Sequence, residues 1–216
     1  MARVLDLIER KVAEADFFLD AMQDSGFNIF GFYCYFSAFL SASRSITFTL
    51  QAVMSGTPGF DEWYEVARQP LKEDSRARFF VQLRNIATKT GEAGIVGGSS
   101  HRLEDGSVLI THYFDPELTG SLPDDIRRQE VTSMSWYYMK LLVDLVSEWE
   151  RWYYTEVPGA DPSTRFRTPE ELEEALGLPI GWTDVGLSDE QRMRILLSRE
   201  PPPISFEGIR QKYEGD

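Results

Sequence analysis

Arg84 and Asn85 are neighbours in the stretch FFVQLRNIATKTG. A guanidinium beside an amide can clamp a phosphate or position an RNA backbone for cleavage, because the guanidinium offers paired N–H donors to two oxygens at once. The plainer reading is a surface Arg one step off a buried helix face, with Asn85 toward solvent. Arg44 is the second candidate. It lies beside the hydroxyl row Ser37, Ser41, Ser45 and Thr49, whose steps of four place them on one helix face. Arg44 with Ser41 and Ser45 could bind an anion in a polar groove. Alternatively, the small residues allow a close helix approach and Arg44 pairs with a carboxylate, since an Arg buried in so apolar a helix needs a partner.

Three further groups carry less. GEAGIVGGSS, residues 91–100, has the glycines of a phosphate-cradling loop but not the GxxxxGK[ST] pattern, and it lacks the strand–loop–helix order of a dinucleotide site. It reads as a connector. Ser99 or Ser100 with His101 and Asp105 supplies the residue types of a hydrolase triad, without a GxSxG elbow. Trp136, Tyr137, Tyr138, Trp149, Trp152, Tyr153 and Tyr154 could stack bases. Their acidic neighbours Asp144, Glu148, Glu150 and Glu156 favour a core plus a contact with the C-terminal tail or a second protomer. His101 and His112 stand in no metal-binding spacing, and a lone cysteine forms no zinc cluster, so neither a metal nor a cofactor is expected.

Composition narrows the partners. The 216 residues hold 22 Lys plus Arg against 35 Asp plus Glu, a net charge of −13. That excludes a broad DNA-binding surface but leaves room for a local basic site. Cys34 alone forms no internal disulfide, and MARVLDLIERKVAEAD has neither signal- nor transit-peptide character, so a cytoplasmic location is expected. Residues 25–43 carry no charge, but their serines and the missing flanking basic cluster mark a buried helix rather than a membrane span.

Periodicity supplies the elements that must position these groups. Leu5, Ile8, Val12, Ala15, Leu19 and Met22 form one stripe of a helix over 2–24, ended by Ser25-Gly26. Phe32, Phe36, Phe39, Ser43, Ile46, Leu50 and Val53 mark a central helix over 28–55. A short helix near 60–69 stops at Pro70, and a third main helix runs over 71–90. Asp105-Gly106 predicts a hairpin between 101–103 and 108–114. A fourth main helix opens at Ser121 and runs to about Glu156. Two short helices follow, capped by Thr168 and Ser188. The expected architecture is an all-α, antiparallel up-and-down bundle of four to five helices over 1–158, with a small β-hairpin inserted at about 100–115. Residues 159–216 form a short helical C-terminal appendage.

FYCYFSAFLSASRSITFTLQ (32–51), WYEVAR (63–68) and RARFFVQLRNIATK (76–89) together resemble the HEPN superfamily of small helical bundles, over roughly residues 1–155. The resemblance implies a four- or five-helix bundle, a homodimer, and often a metal-independent endoribonuclease. That activity uses an Arg followed, after four to six residues, by a His. Arg84 and Asn85 match the start of the motif. Positions 89–91 are Lys, Thr and Gly, so Lys89 stands where the His is expected, and an ammonium with an ordinary pKa of about 10.4 is a poor acid–base group at neutral pH. His101 follows only beyond the Gly-rich stretch. The expected function is a HEPN-like, non-catalytic interaction or regulatory module. One alternative is an RNA-cleaving or RNA-binding defence- or toxin-type protein using Arg84, Asn85 and Lys89 or His101. Another is a binder of a small anionic or nucleotide ligand at Arg44 or Arg84.

Overall fold

The computed structural model describes residues 2–119, 129–160, 168–199 and 205–214. The protein is mostly helical with one small antiparallel sheet. Helix α1 (Ala2–Asp24) buries Ile8, Val12, Ala15, Leu19 and Met22 along its predicted stripe. The turn at 25–28 sends the chain back as α2 (Ile29–Met54), which lies along α1. Asn28 caps α2 by accepting the Gly31 N–H at 2.9 Å. Its buried side carries Phe32, Phe36, Phe39, Ile46 and Leu50. Central burial on most sides does not hold, however: Ile29, Phe30 and Phe48 are exposed, because the helices packed against α2 leave its outer face open.

The next segment departs from expectation in a way that shapes the site. Helix α3 (Phe60–Ala67) is followed directly by α4 (Gln69–Glu73), with Pro70 in the first turn of α4 rather than acting as a stop. Pro lacks only an N–H that a first helical turn leaves unused. The expected single helix over 71–90 is broken at Asp74, whose backbone is extended. The Asp74 carboxylate accepts the Ala77 N–H at 2.8 Å and the Tyr137 hydroxyl at 2.9 Å, so the break is a capped start of α5 (Ser75–Thr90). Gly91 ends α5 at φ +77°, a left-handed C-cap that favours glycine.

The Gly-rich stretch is not a connector. Ile95–Arg102 is β1, paired antiparallel with β2 (Val108–Phe114), with Ser99 opposite Thr111 and Arg102 opposite Val108. The small residues permit close contact here, since a Cβ on Gly98 would come within 2.8 Å of the Thr111 carbonyl oxygen. After α6 (Pro116–Thr119), the predicted helix start at Ser121 lies outside the described residues. The long helix itself, α7 (Val131–Glu156), begins later than expected, at Glu130, whose carboxylate accepts the N–H groups of Thr132 and Ser133 at 2.8 Å each.

The C-terminal portion holds three helices rather than two: α8 (Pro169–Ala175), α9 (Asp189–Leu197) and α10 (Phe206–Glu214). Counted over the described residues there are ten helices, more than the four or five expected, because short ones fill the connections. Helices α8 and α9 pack on each other around the fully buried Glu173. Burial alone would raise the Glu173 carboxyl, but hydrogen bonds from the Thr183 side chain and backbone, the Gly181 N–H and Arg192 outweigh it and hold the pKa at about 2. Helix α10 returns to the main core through Phe206, Ile209 and Tyr213. Tyr213 donates its hydroxyl to Asp16 of α1 at 2.8 Å and packs against Trp136 of α7, and Lys212 pairs with Asp16 and Asp20.

Asp74 satisfies two donors, so Asp74→Ala should cost about 1–3 kcal/mol of unfolding free energy, from the lost cap and an unpaired Tyr137 hydroxyl. Chemical denaturation followed by circular dichroism measures this; a loss under about 0.3 kcal/mol would show that α5 needs no such cap.

Candidate functional site

Helices α2, α3, α4 and α5 surround a cavity of about 440 Å³, with Tyr138 of α7 contributing to its wall. From α2 come Arg44, Thr47, Phe48 and Gln51, spaced so that successive turns of one helix side face inward. From α3 comes Tyr64, and Arg68 stands at the corner where α3 passes into α4. Helix α4 adds Leu71 and Lys72. Because α5 starts at Asp74, its first turns bring Ala77, Arg78, Val81 and Gln82 to the opposite wall.

Electrostatically the cavity is unlike the rest of the chain. Four cations line it and, among the described residues, no carboxylate does. Arg68 and Lys72 share Glu65 just outside, with the Lys72 Nζ 2.5 Å from its carboxylate. Arg44 and Arg78 have no ion pair among the described residues. Arg44 instead lies 4.2 Å over the Phe48 ring and donates to the Thr47 hydroxyl at 3.1 Å. The expected carboxylate partner is therefore absent, and the guanidinium is held by a ring and a hydroxyl with donors to spare.

Two phenols form the deep side. Tyr138 is buried and stacks on Phe80 with ring centroids 4.7 Å apart. Burial pushes its hydroxyl pKa up to about 12, against the opposing charge of Arg44. Burial also raises that of Tyr64, with Arg68 and Arg44 opposing and Glu65 adding to the rise. Both phenols thus keep their proton near neutral pH and present O–H donors.

Ser41 and Ser45 do not join Arg44. Their hydroxyls bond back to their own helix, Ser41 to the Ser37 carbonyl at 3.3 Å and Ser45 to the Ser41 carbonyl at 2.8 Å. The row that accompanies Arg44 is Thr47, Phe48 and Gln51. Arg68, Lys72 and Arg78 were missed in sequence. Arg68 and Lys72 stand four apart, the spacing of one helix face, but Arg44 and Arg78 lie on other helices, so spacing alone does not show that the four converge.

The Arg84 group is loose by comparison. Arg84 contacts the Asn85 amide oxygen at 3.4 Å, and no carboxylate among the described residues pairs with it. Asn85, Lys89 and His101 are exposed, the last on β1. The His101 Nε2 lies 3.0 Å from the Ser99 hydroxyl, which also meets Thr111 Oγ1 at 2.7 Å. The triad acid is lacking, since the Asp105 carboxylate accepts both the N–H and the hydroxyl of Ser107.

His112 is structural. Its ring stacks on Phe32 with centroids 3.6 Å apart and is 3 % exposed. Burial lowers its pKa, partly opposed by Glu130. The aromatic row of α7 divides as expected: Tyr138, Trp149 and Tyr153 are core, Trp136 meets Tyr213 of the C-terminal helix, and Trp152 stacks with Trp63 at 5.4 Å. Among the described residues no group of His, Cys, Asp and Glu could hold a metal ion, and no helix is long and apolar enough to cross a membrane.

Fold and site together define a mostly helical protein with a β-hairpin and one cation-lined cavity. Residues 4–104 match the model of the family described as bacteriophage lambda protein ea47, to which the chain is similar over α1 to α5 and the first strand. The matched span includes Arg44, Arg68, Lys72 and Arg78 but not Tyr138. No curated protein and no solved structure gives a match.

A base whose pKa is depressed on folding stabilises the native state above its unfolded pKa and loses that stability as pH falls. Unfolding free energy should therefore decline as pH drops below about 6.5, and His112→Gln should flatten that decline. Urea titrations between about pH 7.5 and 5.5 test it; an unchanged slope in the variant would acquit His112.

Proposed function

We propose that this protein is a HEPN-like, non-catalytic binding module whose ligand is a small anion held in the Arg44 cavity. In this reading α1, α2, α5 and α7 are the four long members of an up-and-down bundle, and two chains associate as a homodimer. The observation that carries the proposal is the convergence of Arg44, Arg68, Lys72 and Arg78 on one cavity in a chain of net charge −13. Like charges gathered this closely repel one another, and an anion between them relieves the repulsion. Arg84 offers a weaker case for RNA cleavage, because Asn85, Lys89 and His101 are solvent-exposed and nothing restrains a proton donor beside it.

Isothermal titration with inorganic pyrophosphate should show saturable binding that weakens as salt rises. Arg44→Ala should weaken it by about tenfold or more while lowering the melting temperature by only about 2–4 °C, since the stacking of Arg44 on Phe48 contributes about 0.5–1 kcal/mol. No heat at millimolar pyrophosphate would refute the anion site. RNA cleavage by the wild type that disappears in Arg84→Ala would overturn the non-catalytic reading.

A further inference from the structure

The cavity is lined by two kinds of side chain. Arg44, Arg68, Lys72 and Arg78 are cationic, while Tyr64, Leu71, Val81 and Tyr138 offer apolar surface. An inorganic anion would engage the first and leave the second against water, so a ligand that fills the space must also carry an apolar body. Gln51 and Gln82 stand in the same cavity. Gln51 donates its Nε2 to the Thr47 carbonyl at 3.0 Å, which leaves its Oε1 to accept, and Gln82 is exposed with no side-chain hydrogen bond among the described residues. Amides supply donors and acceptors together, as the edge of a nucleobase requires. A lipid tail would leave them unmatched.

The charges set the number of phosphates. Four cations less the Glu65 carboxylate leave a net of three positive charges. A terminal phosphate monoester carries about −1.5 to −2 at pH 7, and an inner diphosphate group adds roughly one more. The volume of about 440 Å³ lies within the roughly 300–1,000 Å³ of small-molecule sites. Resting on the anion-binding reading above, we propose that the ligand is a nucleoside diphosphate, its phosphates on the arginines and its base against the apolar side chains and the Gln51 and Gln82 amides.

Isothermal titration of the full chain with ADP, GDP, CDP and UDP tests this, each beside its monophosphate, its nucleoside and inorganic pyrophosphate. At least one diphosphate should bind about tenfold more tightly than its monophosphate and than pyrophosphate, with no binding of the free nucleoside at millimolar concentration. Arg78 is exposed and without an ion pair among the described residues, so Arg78→Ala should keep its circular dichroism spectrum while losing about tenfold in diphosphate affinity. Pyrophosphate binding as tightly as every diphosphate would overturn the nucleotide while leaving the anion site standing. A monophosphate equal to its diphosphate would overturn the phosphate count. A short single-stranded RNA binding more tightly than all of them would assign the cavity to a polymer. No binding by any compound would remove both readings.

Discussion

Phe80 is the side chain on which the arrangement turns. Its ring meets Phe36 and Phe39 of α2, Phe79 of its own helix, Phe114 of β2 and Tyr138 of α7, at centroid separations from 4.7 to 6.5 Å. Each pair contributes its buried area and a modest orientational preference. Their common centre means that α2, α5, β2 and the long helix α7 are registered against one ring. The Tyr138 face that touches Phe80 belongs to the core, and the same residue walls the cavity. Core and site are therefore two sides of one residue, and the deep wall cannot shift without repacking the centre.

Around that fixed wall the charged residues are arranged by interruptions in the helices. In a continuous helix from 60 to 90, at about 100° per residue, Arg68 and Lys72 would lie about 40° apart and Arg78 about 80° to the other side of Arg68. The corner at Arg68 and the extended Asp74 divide the chain into three pieces instead. Across these breaks Arg68, Lys72 and Arg78 reach the same cavity as Arg44 of α2. The acidic surface elsewhere sharpens the contrast, because an anion is repelled from most of the molecule and attracted at one place.

Much of this fold is legible in the sequence, because burial and periodicity reinforce each other along α1, α2 and α7. The Ser188 and Thr168 caps were legible for a similar reason: a short side chain that accepts a backbone N–H leaves a local signature. The strand in GIVGGSS was not. Its glycines suggest a loop, and only the partner strand makes an extended conformation favourable. Asp74 was overlooked because its neighbours continue a plausible helix. Of the candidate site, Arg44 was identified and its surroundings were not. Ser41 and Ser45 share a numerical step with one another, but the residues that share the cavity with Arg44 come largely from four other helices and depend on how the chain bends between them. The hydroxyl row illustrates the limit of spacing: it reports which side chains share a face and says nothing about whether they bond outward or back to their own helix.

The contact between α10 and α1 joins residues 197 positions apart, Asp16 and Tyr213. Synthesis proceeds from the N-terminus at roughly 5–20 residues per second, so about 10–40 s separate the appearance of these two side chains. Through that interval the Asp16 side of α1 has no covering helix, and the outer face of Trp136 lacks one from the time α7 is made. The nascent chain must leave this seam uncovered, with its apolar edge in water, until α10 arrives to close it. The packing of α1 is in this sense finished only when α10 is made.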